Sequence, residues 1–84
     1  MKHPVLSSAQ VGRILHSARK ANGLTQLALA SEIGLSQKRL SALELSPGTL
    51  SVDQLLGLCA SLGLELFIQK KGAANDVPPS ATEW

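Results

Sequence analysis

Two short amphipathic segments joined by a glycine constrain the fold of this 84-residue chain more than any other feature. In the first segment, Leu29, Ala30 and Ile33 recur at helical spacing behind Thr25, whose hydroxyl can cap a helix. Gly34 ends the segment, because glycine accepts the positive φ of a tight turn without steric cost. A short helix that stops abruptly is therefore predicted here.

The segment after Gly34 predicts a second helix, with Ser36 as its cap and with Leu40 and Leu43 facing inward. Its first turn is polar and carries Gln37, Lys38 and Arg39. Two short helices at a tight turn form a helix-turn-helix, in which the second helix enters the major groove of DNA. The stretch 25–44 thus predicts double-stranded DNA as a partner.

The charge distribution agrees with a polyanionic partner. Between residues 10 and 43 the sequence has five basic residues and one acidic residue, which gives this stretch a charge of +4. Aromatic residues make up only 2% of the chain, which disfavours single-stranded nucleic acid and RNA, whose binders stack bases on aromatic rings. The core must be aliphatic, and a chain of this size buries only a thin one.

Other function classes find little support. No apolar run is long enough to span a bilayer, and the N-terminus lacks the apolar core of a signal peptide. Cys59 is the single cysteine, so an internal disulfide is excluded and a cytoplasmic location is expected. His3 and His16 lack metal-ligand spacing with it, and no catalytic constellation is present. We expect no enzyme activity, no cofactor and no metal.

Two further helices flank the central pair, so the predicted fold is mainly α. Ser7 and Gln10 form a capping box before a stripe at i, i+3, i+4 and i+7, and the helix ends at Asn22-Gly23. Ser51 and Gln54 form a second box. The fourth helix ends at Gly63, and its predicted core stripe comprises Val52, Leu55, Leu56, Cys59 and Leu62.

From residue 64 the hydrophobic period changes to two, which predicts a strand. Leu64, Leu66 and Ile68 share one face, and Phe67 adds β-propensity. A lone strand cannot satisfy its backbone, so we expect it to pair with the same strand of a second copy in a homodimer. The predicted layout is an arm at 1–6, a domain at 7–71 that includes the dimerisation strand 64–70, and a disordered tail at 72–84.

The central stretch resembles the Xre/Cro-type helix-turn-helix family, which implies a lambda-repressor-like four-helix domain. The family pattern is T-Q-x-x-L-A-x-x-x-G-hydrophobic-S-x-x-x-hydrophobic-S-x-hydrophobic-E. Every specified position is filled, by Thr25, Gln26, Leu29, Ala30, Gly34, Leu35, Ser36, Leu40, Ser41, Leu43 and Glu44. A match of this length is specific for DNA binding.

The resemblance and elementary chemistry together suggest which residues read bases. Gln37 and Lys38 open the third helix, where this family contacts base edges; Gln suits adenine, and Lys suits guanine. Ser36 and Ala42 are secondary base-contact candidates, the latter through a thymine methyl group.

Three more residues are expected at the sugar-phosphate backbone. Gln26 lies at the start of the second helix, where an amide and the helix dipole favour a phosphate. Arg39 and Ser41 are better placed for phosphates than for bases. The alternative is that Lys38 and Arg39 form only a solvated helix face.

Arg19 is expected to have a structural role. In the family, an arginine six positions before Thr25 pairs with the terminal glutamate of the motif, so the resemblance implies an ion pair between Arg19 and Glu44. Arg13 and Lys20 are most simply solvated, and His16 is most simply a surface imidazole.

The region after Gly63 resembles HipB-type antitoxins, which bind a HipA-like kinase toxin. The shared features are a strand after the fourth helix and a flexible tail that ends in Glu83-Trp84. The resemblance implies an autorepressor that binds an inverted repeat as a homodimer, with Trp84 as an anchor for the toxin. The alternatives are a solvated Trp84 and a stand-alone regulator, for example of phage type, with no toxin partner.

Overall fold

The computed structural model describes residues 4–71, which form four α-helices. They are α1 (Ser8–Ala21), α2 (Gln26–Glu32), α3 (Gln37–Leu45) and α4 (Val52–Leu62). The turn after α3, predicted as a loop, contains a 3-10 helix at Pro47–Thr49. The prediction of a mainly α, four-helix domain is confirmed.

Side-chain caps define the helix starts. Ser7, Thr25, Ser36 and Ser51 each accept a hydrogen bond from the backbone N–H three residues on. The capping box of α4 is complete, because Gln54 Oε1 also accepts from the Ser51 N–H.

The predicted capping box of α1 is only half formed. Ser7 Oγ accepts from the Gln10 N–H, but Gln10 Oε1 accepts from the N–H of Leu6 at 2.7 Å instead of that of Ser7. Gln10 Nε2 also donates to the carbonyl of Pro4. The last residues of the predicted arm are therefore tied to the first turn of α1.

The turn between α2 and α3 has the conformation that its glycine predicts. Gly34 has φ +73°, and the Leu35 N–H donates to the carbonyl of Ala30 at 2.9 Å. This bond satisfies one of the carbonyls that a helix leaves free at its end. The turn is short enough to hold α3 against α2.

The core lies where the four helices meet, and its face on α4 differs from the predicted one. Leu58, which the predicted stripe omitted, is 1% exposed, whereas Val52 is 70% and Leu56 is 47% exposed. The apolar spacing of α4 fits two overlapping faces, and packing against α1 and α2 selects the one around Leu58 and Leu62. The fully buried large side chains are Leu29, Leu40, Leu43 and Leu58.

Cys59 lies in this core, as predicted. Its side chain is buried, and burial raises the pKa of the thiol.

Segment 64–70 is neither helix nor strand in the single chain, and no strand occurs within residues 4–71. Leu64 packs against the core, while Leu66, Phe67 and Ile68 are about half exposed or more. The predicted strand needs a partner backbone, so its pairing across a homodimer stays a prediction.

The two ends of the chain are not described by the structure. Residues 1–3 and the predicted tail 72–84, including Trp84, lie outside the described residues. Within the described part, none of the helices has the length and apolar character needed to cross a bilayer.

Candidate nucleic-acid interface

The first turn of α3 is exposed to solvent, and the helix is anchored to the core. Leu40 and Leu43 are each 1% exposed and fasten α3 to the core. Ser36 Oγ accepts from the Arg39 N–H at 3.0 Å and fixes the helix start. The polar residues predicted to contact DNA here, Gln37, Lys38 and Arg39, are all exposed.

Gln26 and Gln37, the first residues of α2 and α3, are joined by their side chains. Gln37 Nε2 donates to Gln26 Oε1 at 2.7 Å. Gln26 Nε2 in turn donates to Glu44 Oε1 at 3.1 Å. The amide of Gln26, expected at a phosphate, is therefore also a bridge between the two helices of the motif.

Arg19 and Glu44 form the ion pair that the family resemblance implied. Arg19 Nε donates to Glu44 Oε2 at 2.8 Å and Nη2 donates to Oε1 at 3.3 Å. Arg19 Nη1 also donates to the carbonyl of Leu24 at 3.0 Å. The two side chains are only 8% and 7% exposed, so the pair links α1 to α3 beneath the surface.

The surroundings of Glu44 favour its ionised form. Burial would raise the pKa of Glu44, but hydrogen bonds from Arg19, Gln26 and His16, with the Arg19 charge, lower it below its usual value. A carboxylate with this many donors holds each of them in place.

Arg19, Gln26 and Glu44 form a polar cluster to which His16 also belongs. The sequence alone predicts only a surface position for His16. Its Nδ1 lies 3.3 Å from Glu44 Oε1 and 3.4 Å from Arg19 Nη2. The side chain is 51% exposed. The available signal was spacing, because His16 precedes Arg19 by three residues and so shares its face of α1.

Side-chain contacts thus run continuously from α1 to the tip of α3. Glu44 connects His16 and Arg19 to Gln26, and Gln26 connects to Gln37. Within residues 4–71, no buried side-chain nitrogen or oxygen lacks a hydrogen-bond partner. A polar network whose buried atoms are all paired holds its members in one geometry.

The remaining predicted contact residues lie on α3 or at its N-terminal cap. Ser36 and Ala42 are exposed, and Ser41 is half buried. Ser41 lines a groove together with Gln26. The structure therefore brings Gln26, Gln37 and Ser41 close together, with Ser36 and Ala42 on the accessible part of α3 and its cap.

The described part of the chain contains no cluster of side chains suited to bind a metal ion. No three His, Cys, Asp or Glu side chains of residues 4–71 come together in a way that could hold an ion. The acidic member of the cluster, Glu44, is engaged by Arg19 instead.

Comparison with known families agrees with this geometry. A family profile described as Helix-turn-helix matches residues 15–68, nearly two thirds of the chain. The chain belongs to the Xre/Cro-type helix-turn-helix family. No curated protein and no solved structure matches it.

Membership in this family gives α2 and α3 a functional meaning. The chain is a DNA-binding transcription regulator, and α2 and α3 are its helix-turn-helix. The matched region also includes Glu44 and part of α1, so it contains the network from His16 to Gln37.

Proposed function

We propose that the protein is an antitoxin and transcriptional autorepressor of the HipB type. It binds operator DNA as a homodimer through α3 and partners a HipA-like kinase toxin in the cytoplasm. The observation that carries the DNA-binding part is the bond between Gln26 and Gln37, which orients an exposed amide at the tip of α3.

Base reading is assigned to the exposed first turn of α3. Gln37 donates one N–H of its side-chain amide to Gln26, which leaves the second N–H and Oε1 for an adenine edge. Lys38 is exposed and supplies a donor for guanine. Ser36 and Ala42 contribute secondary base contacts.

Phosphate contacts set the register of α3 on the duplex. Gln26 and Ser41 share one groove lining, and Arg39 is exposed in the first turn of α3. Contacts of this kind position a protein on DNA without reading sequence.

The homodimer is proposed from the apolar side chains of segment 64–70. Leu66 is 47% and Ile68 is 76% exposed, although both are large and apolar. Pairing of this segment with its copy would cover these side chains and satisfy the backbone. A two-fold dimer places two copies of α3 about 34 Å apart, one turn of DNA.

The antitoxin part depends on the resemblance of the C-terminal layout to HipB-type proteins. Glu83-Trp84 would anchor the toxin, since tryptophan is favoured at interface hot spots. The alternative is a stand-alone regulator of phage type, which would use the same DNA surface and no toxin.

Selection of duplexes from a random library tests the DNA-binding assignment. The wild-type chain should enrich an inverted repeat, and a variant with Gln37→Ala and Lys38→Ala should enrich none while remaining folded. Lys20→Ala is the matched control, because Lys20 is basic and exposed but lies on α1. Enrichment of the same repeat by the double variant would show that α3 does not read it.

Affinity purification of the intact chain from its own cells tests the antitoxin assignment. A kinase-sized partner should be retained by the wild-type chain and lost with Trp84→Ala. A chain that enriches an inverted repeat but retains no such partner would be a stand-alone regulator.

A further inference from the structure

A groove separates the start of α1 from the end of α3 and the 3-10 helix. Its volume is about 630 Å³. The lining includes two residues assigned above to phosphate contacts, Gln26 and Ser41, and two residues of α1, Arg13 and His16. The groove therefore extends the DNA-contact surface from the motif onto α1.

The charges at this groove favour an anion. Among the described residues that line it, Glu44 is the only acidic one, and its charge is matched by Arg19 through the 2.8 Å pair. Arg13 then leaves an excess of one positive charge, which becomes two when His16 is protonated. The parts of α2 and the 3-10 helix that line the groove add no titratable group.

Among the described residues, only one ring nitrogen of His16, Nδ1, has a partner. Nδ1 lies 3.3 Å from Glu44 Oε1 and 3.4 Å from Arg19 Nη2, so in the neutral ring it either donates to the carboxylate or accepts from the guanidinium. In the first case Nε2 carries a lone pair that repels a phosphate oxygen, and in the second case Nε2 carries the single N–H of an uncharged ring. A protonated ring carries N–H groups at both positions and donates through Nε2 while keeping the bond to Glu44.

We propose that His16 is a DNA phosphate-contacting residue whose protonation couples the affinity for double-stranded DNA to pH. The proposal rests on the proposed function, because it places the sugar-phosphate backbone against Gln26 and Ser41. Histidine changes charge between about pH 5 and 8. Binding therefore strengthens as the pH falls through this range.

A labelled duplex of arbitrary sequence tests the proposal by fluorescence anisotropy, since phosphate contacts read no sequence. The wild-type Kd should be roughly two- to fivefold lower per bound subunit at about pH 6 than at about pH 8. The slope of log Kd against log salt should steepen by about 0.9 for each additional phosphate that a protonated His16 neutralises.

Three variants show whether His16 causes the pH dependence of DNA binding. His16→Gln should bind weakly at both pH values, and His16→Lys should bind tightly at both, because its charge does not change in this range. His3→Gln removes the other histidine of the chain and should keep the wild-type response. Circular dichroism at each pH confirms that every variant is folded.

The proposal is overturned by a pH response that survives in both His16 variants, by one that is lost in His3→Gln, or by an unchanged salt slope. A response confined to the selected inverted repeat would also overturn it, because it would place the effect on base reading. If the chain binds no duplex at either pH, the proposed function itself fails, an outcome distinct from DNA binding that does not respond to pH.

Discussion

Nε2 of Gln37 donates a 2.7 Å hydrogen bond to Oε1 of Gln26, joining the first residue of α3 to the first residue of α2. Gln26 is held from its other side by Glu44. The amide of Gln37 is thus oriented in the free protein, so the proposed contact with a base would cost less side-chain entropy.

A double-mutant cycle on operator affinity measures this orientation. Gln26→Ala and Gln37→Ala should be coupled by about 1 kcal/mol, because the loss of either one removes the same hydrogen bond. Gln26→Ala with Arg39→Ala is the control pair, and its effects should add to within about 0.5 kcal/mol. Additive effects for the two glutamines would contradict an orienting role of Gln26.

Breaking the buried ion pair between Arg19 and Glu44 should destabilise the domain. Arg19→Met leaves the Glu44 carboxylate, which is 7% exposed, with its contacts to Gln26 and His16 but without the guanidinium charge, and the free energy of unfolding should fall by about 3 kcal/mol. Urea denaturation at one fixed protein concentration measures this. Arg13→Met, on the same helix but exposed, should change it by less than about 0.5 kcal/mol. Equal effects of the two variants would contradict a stabilising pair.

The lowered pKa of Glu44 makes part of the stability depend on pH. The folded-state value lies below the usual value of 4.5, so the contribution is fully present above about pH 4.5 and is lost as the pH falls through the folded-state value. Glu44→Gln should therefore differ from wild type at neutral pH and approach it in acid. Urea midpoints across this range measure the difference. Glu32→Gln, on the exposed side of α2, should retain the acid-dependent loss.

Local features of this domain were predictable from sequence because their causes lie within a few residues. The cap at Ser36 and the turn at Gly34 depend on a hydroxyl and on a missing Cβ, and both are visible in the sequence. The predicted buried face of α4 included Val52 and omitted Leu58, because spacing alone does not say where α1 and α2 pack against this helix.

The candidate site was predictable in its members but not in its connections. The family pattern specifies Gln26 and Glu44, and Gln37 was predicted from its place at the start of the third helix, yet their bonds span 11 and 18 positions of the chain and depend on the crossing of α2 and α3. The contact between His16 and Glu44 spans 28 positions. Family resemblance supplied the pair of Arg19 with Glu44, whereas it carried no information on His16.

The proposed dimer makes segment 64–70 sensitive to charge. Ile68→Asp places a carboxylate on a side chain that is 76% exposed in the single chain, so the isolated domain should stay folded while association weakens. Sedimentation velocity should show a shift toward monomer, and operator affinity should fall with it. Leu27→Asp is a control, since Leu27 is also large and exposed but lies on α2. Unchanged association of Ile68→Asp would remove the proposed pairing.

Two glycines inside helices should respond to alanine in opposite directions. A Cβ at Gly12 would lie 2.8 Å from Cγ of Pro47 and 3.1 Å from the carbonyl oxygen of Glu44, whereas a Cβ at Gly57 would meet only Ile33 Cγ2 at 4.0 Å. Gly57→Ala should therefore stabilise the domain by about 0.5–1 kcal/mol through helix propensity.

Gly12→Ala has the same propensity gain, but α1 must move away from the 3-10 helix, at a cost of about 1–3 kcal/mol for overpacking. The proline ring cannot rotate out of the way, so we expect a net loss of about 1 kcal/mol in urea denaturation. The movement would also shift the C-terminal end of α3, where Glu44 lies. DNA affinity should therefore fall in Gly12→Ala but not in Gly57→Ala. A stabilised Gly12→Ala variant would show that α1 and the turn at Pro47 are less closely packed than these distances indicate.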